Sequence, residues 1–104
     1  MTSRVVLHEE AEAEAQRGVL HYLDEADDPT VAMRFEAAIG RALADVADSP
    51  ERWPIVDADS RERVYLFARP FNAWMLIYRI DGTTVHVVAI AHTKRRPDYW
   101  RHRR

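Results

Sequence analysis

Four arginines in the second half of the chain are spaced so that they could act together on an anion. Arg61, Arg63 and Arg69 lie even numbers of positions apart, so in a strand they would share one face of a sheet. Arg79 lies in the next apolar stretch, and its face depends on the register between the strands. Guanidinium groups bind phosphate through paired hydrogen bonds. The spacing predicts an anion-binding surface; the alternative is a solvated face whose charges protect sheet edges.

The stretch from His92 to Arg101 combines basic and aromatic side chains directly after an apolar strand. Its members are Lys94, Arg95, Arg96, Tyr99 and Trp100. Cationic side chains can bind the backbone of a nucleic acid, and aromatic rings can stack on its bases. We therefore expect these basic residues, together with Arg69, to contact the backbone and Trp100 to stack on a base. His92 and Tyr99 carry groups suited to proton transfer. The alternative is that His92 satisfies backbone groups at the strand end and both aromatic residues pack the tail on the core.

The sequence offers no other kind of catalytic centre. Cysteine is absent, which excludes disulfides, thiolate catalysis and Cys-ligated zinc. The five histidines lack the spacing of metal ligands, and the three glycines are isolated rather than grouped in a phosphate-binding loop. We therefore expect no metal and no cofactor.

Charge is distributed unevenly along the chain, although the net charge is only −2. Residues 1–60 contain 14 acidic residues and five arginines, which gives −9. Residues 61–104 contain nine arginines, one lysine and three acidic residues, which gives +7. A basic region in a near-neutral chain predicts an anionic partner for the face that carries it.

Two helices are expected after a short first strand at 5–7. Acidic residues in a first turn, followed by apolar residues at helical spacing, predict a helix from Glu9 to about Ala26. The run Asp27-Asp28-Pro29 separates it from the next helix, with Asp28 as N-cap and Pro29 at the first helical position. Apolar residues then recur every three or four positions, which predicts a second helix up to residue 48 and an antiparallel helical hairpin.

Three strands are expected after the loop at 49–60, because the apolar period changes from about four to two. They cover residues 61–69, 73–80 and 83–91, and the last one should be central because it is nearly apolar throughout. Asp81-Gly82 is typical of a hairpin turn. The order β-α-α-β-β-β predicts an α+β fold in which the helical hairpin packs on one face of a small, mainly antiparallel sheet. The other face should keep the polar side chains.

The length of 104 residues predicts one domain over 1–104, in which residues 92–104 form a basic, aromatic C-terminal tail. No apolar run approaches ~18 residues, so no membrane span is expected. No basic-then-apolar leader is found at the N-terminus. We expect a cytoplasmic protein.

Short segments over nearly the whole chain carry a further resemblance. They are residues 5–14, Tyr22, Arg34-Phe35-Glu36, Pro50 with Trp53-Pro54, the arginine-rich stretch 61–69, Ile77-Tyr78-Arg79, and residues 87–92 followed by Arg95-Arg96-Pro97-Asp98-Tyr99-Trp100. The last of these is the most specific. In this order they resemble the RelE/ParE superfamily of bacterial toxins, in the branch often called plasmid stabilisation proteins. The fold that such toxins share has the element order predicted above.

The resemblance implies the toxin of a type II toxin–antitoxin system. A cognate antitoxin would neutralise it by laying an extended or helical segment on it, either at a sheet edge or in a groove beside the helices. Toxins of this superfamily inhibit growth in two ways. One group cleaves messenger RNA in the ribosome, and the other inhibits DNA gyrase.

Cleavage of messenger RNA would need neither metal nor protein nucleophile, because the 2′-OH of the substrate attacks the adjacent phosphate. The resemblance implies that Arg61, Arg63 and Arg79 would hold the phosphate charge while His92 or Tyr99 would transfer protons. The presence of both His92 and Tyr99 favours this function over gyrase inhibition.

Two departures from the superfamily pattern keep the alternatives open. Arginine stands where ribosome-dependent members often carry several lysines, and arginine is a poor proton donor because it stays protonated. Arg69-Pro70-Phe71-Asn72 stands where relatives often show Phe-Pro-Tyr. The chain could therefore also be a non-catalytic gyrase inhibitor, or a binding module with the toxin fold and no activity.

Overall fold

The computed structural model describes residues 2–25, 28–96 and 98–103. Their elements are, in chain order, β1 (Arg4–Leu7), α1 (Glu9–Glu25), α2 (Thr30–Asp48), β2 (Arg63–Leu66), β3 (Trp74–Asp81) and β4 (Thr84–His92). The predicted α+β class and the order β-α-α-β-β-β are confirmed. The predicted helix end at Ala26 and the turn residue Asp27 lie outside the described residues.

The four strands form one sheet in the order β1-β4-β3-β2. β1 is parallel to β4, and the other neighbours are antiparallel, so the sheet is mainly antiparallel as predicted. β4 lies between β1 and β3, which agrees with its continuous apolar sequence. β1 pairs with β4 only as far as Leu7 and Val87. The C-terminal half of β4 therefore extends beyond its parallel neighbour.

The start of α2 has the cap that the sequence predicts. Asp28 Oδ1 accepts a hydrogen bond of 2.9 Å from the Thr30 backbone N–H, and this bond lowers the pKa of the Asp28 carboxyl. Pro29 already has helical backbone angles. Because the cap satisfies an N–H group that has no partner inside the helix, it fixes where α2 begins.

The main core lies between the helical hairpin and one face of the sheet. Its largest fully buried side chains include Phe35 from α2, and Leu76 and Tyr78 from β3. Gly18 of α1 meets this core without a side chain, and a Cβ there would lie 2.6 Å from Phe35 Cε2. Glycine thus allows α1 to approach α2 and β3 closely.

The opposite face of the sheet is only partly polar, which corrects the expectation that it keeps the polar side chains throughout. A second apolar cluster covers one half of it, formed by Ile77, Val88, Ala89, Ala91 and Trp100. The strand register shifts at Ile77 and Tyr78, so that β4 has one extra residue there. Such a bulge lets two consecutive residues, Val88 and Ala89, contact the same cluster.

The strand predicted over 61–69 is shorter, because turns take up both of its ends. Arg61 has a φ of 60°, and its N–H donates to the Asp57 carbonyl at 2.8 Å, so the chain still turns there. At the other end the Phe71 N–H donates to the Ala68 carbonyl. The pairing of β3 with β4 places the hairpin loop at Gly82 and Thr83, one residue later than predicted.

Candidate functional site

Arg61 and Arg79 border one groove on the sheet face away from the helices. The groove has a volume of about 910 Å³, and its walls also include His86 and Asp81. Arg79 pairs with His86 on the neighbouring strand, and alternation places both opposite the buried Tyr78. Among the described residues, no acidic side chain forms an ion pair with Arg61 or Arg79. Two of the arginines predicted as anion ligands therefore border one groove, whose walls also carry Glu9, Glu10 and Asp81.

Arg63 lies on the face that packs against the helices. It alternates with Tyr65 and Phe67 as predicted, but both of those rings belong to the main core. The Arg63 guanidinium donates hydrogen bonds to the backbone carbonyls of Glu51 and Trp53, at 3.1 and 2.6 Å. Arg63 thus fastens the 49–60 loop to the sheet and does not share a face with Arg79.

Arg69 is exposed in the turn that precedes β3, apart from the other three predicted arginines. It borders a depression of about 460 Å³ together with Arg34 and Arg41 of α2. The alternation that joined it to Arg61 and Arg63 fails because β2 ends at Leu66.

His92 ends β4 and faces the helix side, where its ring meets the Trp74 ring edge-on at 5.2 Å. Its Nδ1 accepts a hydrogen bond from the Lys94 N–H. Burial lowers the pKa of His92, and the positive charges of Lys94 and His21 lower it further. His92 lies six positions along β4 from His86 beside the groove, about 20 Å at ~3.3 Å per residue. The structure does not bring His92 to Arg61 and Arg79.

The Tyr99 hydroxyl donates a hydrogen bond to the Glu14 carboxylate. The guanidinium carbons of Arg95 and Arg103 lie 4.1 and 5.1 Å from the centre of its ring. Burial raises the pKa of Tyr99, and the bond to Glu14 raises it further. The phenol is therefore protonated at neutral pH, with its proton engaged in a structural contact.

Glu14 is the buried centre of this contact, and sequence reasoning did not single it out. Glu14 is 4% exposed and Arg103 6% exposed, with Arg103 Nη1 at 2.6 Å from Glu14 Oε1. The Ile90 N–H also donates to Glu14, and Arg103 donates to the Val88 carbonyl. These bonds serve the half of β4 that β1 leaves unpaired. The available signal was spacing, since Glu14 follows Ala11 by three residues on the buried helix face.

Trp100 is buried, which corrects its prediction as a platform for a nucleic-acid base. The side chain is 5% exposed within the second apolar cluster. Its indole N–H donates to Glu62 Oε1 at 3.1 Å, and Glu62 is itself buried. The ring thus anchors the C-terminal segment, as the packing alternative proposed.

The basic tail is largely neutralised from within the chain. Arg95 lies 3.7 Å from Glu14, and Arg101 lies 3.0 Å from Asp57. Lys94 and Arg96 are exposed and pair with no acidic residue that the structure describes. Only part of the predicted nucleic-acid surface is therefore available to an anion.

Neither a metal centre nor a membrane segment is found in the described parts of the chain. No three His, Cys, Asp or Glu side chains there are grouped so that they could hold a metal ion. No helix there is long and apolar enough to cross a membrane.

Comparisons with known proteins identify a protein family whose model matches most of this chain. The family model described as "ParE toxin of type II toxin-antitoxin system, parDE" matches residues 5–97. A solved structure described as "Chromosomal ParDE TA system from P. aeruginosa" is similar in fold, with a TM-score of 0.74 and 13% identity, over 88% of this chain and 96% of that chain. No curated protein matches in sequence.

Proposed function

This chain belongs to the ParE toxin family of type II toxin–antitoxin systems, and from this membership we propose that it inhibits growth by binding DNA gyrase without catalysing a reaction. Its partner is a cognate antitoxin. Of the two modes of inhibition implied by the resemblance, gyrase binding agrees better with the arrangement of the side chains.

The observation that carries this proposal is the separation of the groups that RNA cleavage would need together. A general base must lie within hydrogen-bond reach of the proton that it removes, beside the groups that hold the phosphate. Arg61 and Arg79 border the groove on one face, whereas His92 is packed on Trp74 on the other. Tyr99 is bonded to Glu14. Neither of the two groups that were expected to transfer protons thus faces the arginines; the histidines that do line the groove are His8 and His86.

We assign target contact to the groove that Arg61 and Arg79 border. A volume of about 910 Å³ admits side chains of a protein partner. Arginines at the centre of an interface often contribute most to its affinity, because they combine charge with several hydrogen-bond donors. The proposed interaction is a contact of these two guanidinium groups with acidic side chains of gyrase.

Gyrase and translation assays with the purified toxin test the proposal. We expect inhibition of DNA supercoiling by gyrase, while messenger RNA in a translation extract stays intact. Arg79→Gln should raise the inhibitory concentration at least tenfold, about 1.4 kcal/mol. Arg52→Gln is the control, since Arg52 is exposed and its guanidinium lies over the Trp53 ring instead.

Expression in a bacterium gives the second readout. Filamentation and a DNA-damage response would support gyrase inhibition. Cleaved messenger RNA with unaffected supercoiling would contradict gyrase inhibition and support the nuclease function. A folded protein without any effect on growth would contradict both and support a binding module without activity.

For the antitoxin we propose a docking site between the two helices. A groove of about 450 Å³ is lined there by Ala15, Val19, Leu20 and Ile39, and the Leu20 side chain is 56% exposed. An amphipathic helix buries its apolar face in such a groove.

Strand addition at the sheet edge has less support. β1 and β2 are the two edge strands and have four residues each. Ile55 already forms a bridge with Arg63 on the outer side of β2. Leu20→Asp should therefore prevent co-purification with the antitoxin without abolishing growth inhibition. Leu66→Asp, at an exposed position of β2, should leave both co-purification with the antitoxin and growth inhibition unchanged. Loss of the antitoxin from Leu66→Asp alone would show that it binds the edge instead.

A further inference from the structure

A small cleft lies between the middle of α1 and the C-terminal half of β4, outside the groove assigned to gyrase. Its volume is about 140 Å³. Trp74 and Gly18 form part of its apolar wall, and four basic side chains border it: Arg17, His21, His92 and Arg95. Arg17 and His21 lie on α1, one helical turn apart, and sequence reasoning did not single them out.

Close packing of α1 fixes the positions of these groups. The missing side chain of Gly18 lets the helix lie directly on Trp74, since a Cβ there would be 3.2 Å from Trp74 Cη2. The Trp74 indole N–H donates to the Tyr22 hydroxyl at 3.0 Å. Arg17 and His21 therefore extend from a helix segment that is held against β3 and β4.

Several donors at the cleft lack a partner within the described chain. His92 Nδ1 accepts the Lys94 N–H, so the neutral ring carries its proton on Nε2. That Nε2 donates to no group in the described residues, where Arg17 and His21 also form no ion pair. Arg95 is held in place by the Tyr99 ring, 4.1 Å away.

The single acidic residue at the cleft does not cancel this charge. Glu14 accepts hydrogen bonds from the Ile90 N–H, the Tyr99 hydroxyl and Arg103. Arg95 also lies 3.7 Å from Glu14, so one arginine of the cleft is paired. Arg17 pairs with no acidic residue that the structure describes, and it keeps the cleft positive.

We propose that this cleft binds a phosphate group. Guanidinium and imidazole N–H groups converging on a concave site provide the charge-assisted hydrogen bonds that a tetrahedral oxyanion accepts. One water needs roughly 10–15 Å³ of such space, so the cleft has room for a phosphate. The site does not depend on which target the toxin inhibits, and loss of gyrase inhibition would leave it unaffected.

Phosphate binding should be coupled to protonation of the imidazoles. The groups that face His92 are Glu14, Arg17 and His21 from α1, and Lys94 and Arg95 from its own segment; β3 contributes the uncharged Trp74. The pKa of His92 is lowered in the free protein, and an added anion opposes that shift. We expect saturating phosphate to raise the pKa of His92 by about one unit, equivalent to tenfold tighter binding to the protonated ring.

Titration of the histidine NMR signals with inorganic phosphate, at constant ionic strength set with chloride, tests the site. The signals of His21 and His92 should shift and saturate, while that of His102, which lies 3.6 Å from Glu10 and borders neither the groove nor the cleft, stays unchanged. Arg17→Gln should weaken binding about tenfold; Arg17 is exposed, so the fold should tolerate the change. Arg52→Gln is the matched control. Equal shifts at all histidines, no saturation, or unchanged binding in Arg17→Gln would overturn the proposal.

The source of the phosphate is distinguished by further probes of the same site. Competition by pyrophosphate or a nucleoside monophosphate would support a small phosphorylated ligand. Competition by a short single-stranded DNA only when it carries a 5′-phosphate would support a nucleic-acid end. Binding of that DNA with or without its 5′-phosphate, combined with no response to inorganic phosphate, would overturn a phosphate site.

Discussion

Glu14 shows most clearly what residue types and spacing leave hidden. As an acid near the start of a helix it fits a solvated first turn stabilised by the helix dipole. Its partner Arg103 stands 89 positions away, and its contact with the Ile90 N–H spans 76 positions. Such a pair depends on where the chain ends meet in space. Sequence reasoning placed the other candidate residues on elements but could not place them relative to one another.

Removing the Glu14 carboxylate should be among the most destabilising single changes in this chain. Glu14→Ala leaves the Arg103 guanidinium buried without its main partner, which should lower the free energy of unfolding by about 3–5 kcal/mol. Urea unfolding followed by circular dichroism measures it. Glu12→Ala is the control on an exposed position of the same helix and should change stability by about 0.5 kcal/mol or less. Equal midpoints for the two variants would contradict a structural role for Glu14.

The elements were predictable to different degrees, for physical reasons. The α2 helix follows from a long apolar period and a local cap, both of which are encoded within a few residues. β2 was predicted too long because alternation continues through Arg61, and nothing in the pattern indicates that its backbone is left-handed. The polar face was predicted too wide because alternation within the strands does not show that the tail turns back and packs on them.

The two helical glycines should respond in opposite directions to the same substitution. Gly→Ala in a helix interior normally gains up to about 1 kcal/mol. At Gly40 the new Cβ would meet nothing within 4 Å, so Gly40→Ala should stabilise. At Gly18 it would meet Phe35 at 2.6 Å, and overpacking should make Gly18→Ala destabilising by about 1–3 kcal/mol.

Thermal and urea unfolding of both glycine variants provide the measurement. Since each substitution adds one methyl group to a helix, each serves as the control for the other. Stabilisation by both would mean that α1 can move away from α2 and β3 at little cost.

For the whole molecule, the charge separation along the sequence is partly an internal fit. Acidic residues from the first 60 positions pair with basic residues of the tail, as in Glu10 with Arg103 and Asp57 with Arg101. The inference from a basic region to an anionic partner was therefore too broad. It applies to the cations that folding leaves unpaired in the described chain, among them Arg61 and Arg79 at the groove and Arg17 at the cleft.

The tail should accordingly contribute to stability, although its described residues after His92 form no helix or strand. A chain that ends at Arg96 loses the buried Trp100, which is the hydrogen-bond partner of Glu62. Glu14 loses Tyr99 and Arg103 and keeps only the Ile90 N–H and Arg95. Loss of a large apolar side chain alone costs about 3–5 kcal/mol. We expect a strong decrease of the urea midpoint, and size-exclusion chromatography should show association through the uncovered second cluster. An unchanged midpoint would mean that the tail is not part of the folded unit.

The part of β4 that extends beyond β1 has a further consequence. The Ile90 amide hydrogen is held by a side chain, and that side chain is held in turn by Arg103. Detachment of the tail would free this amide for exchange with deuterium while the neighbouring strand bonds remain closed. The rate of deuterium exchange at the Ile90 amide would therefore report how often the C-terminal segment detaches, separately from unfolding of the sheet.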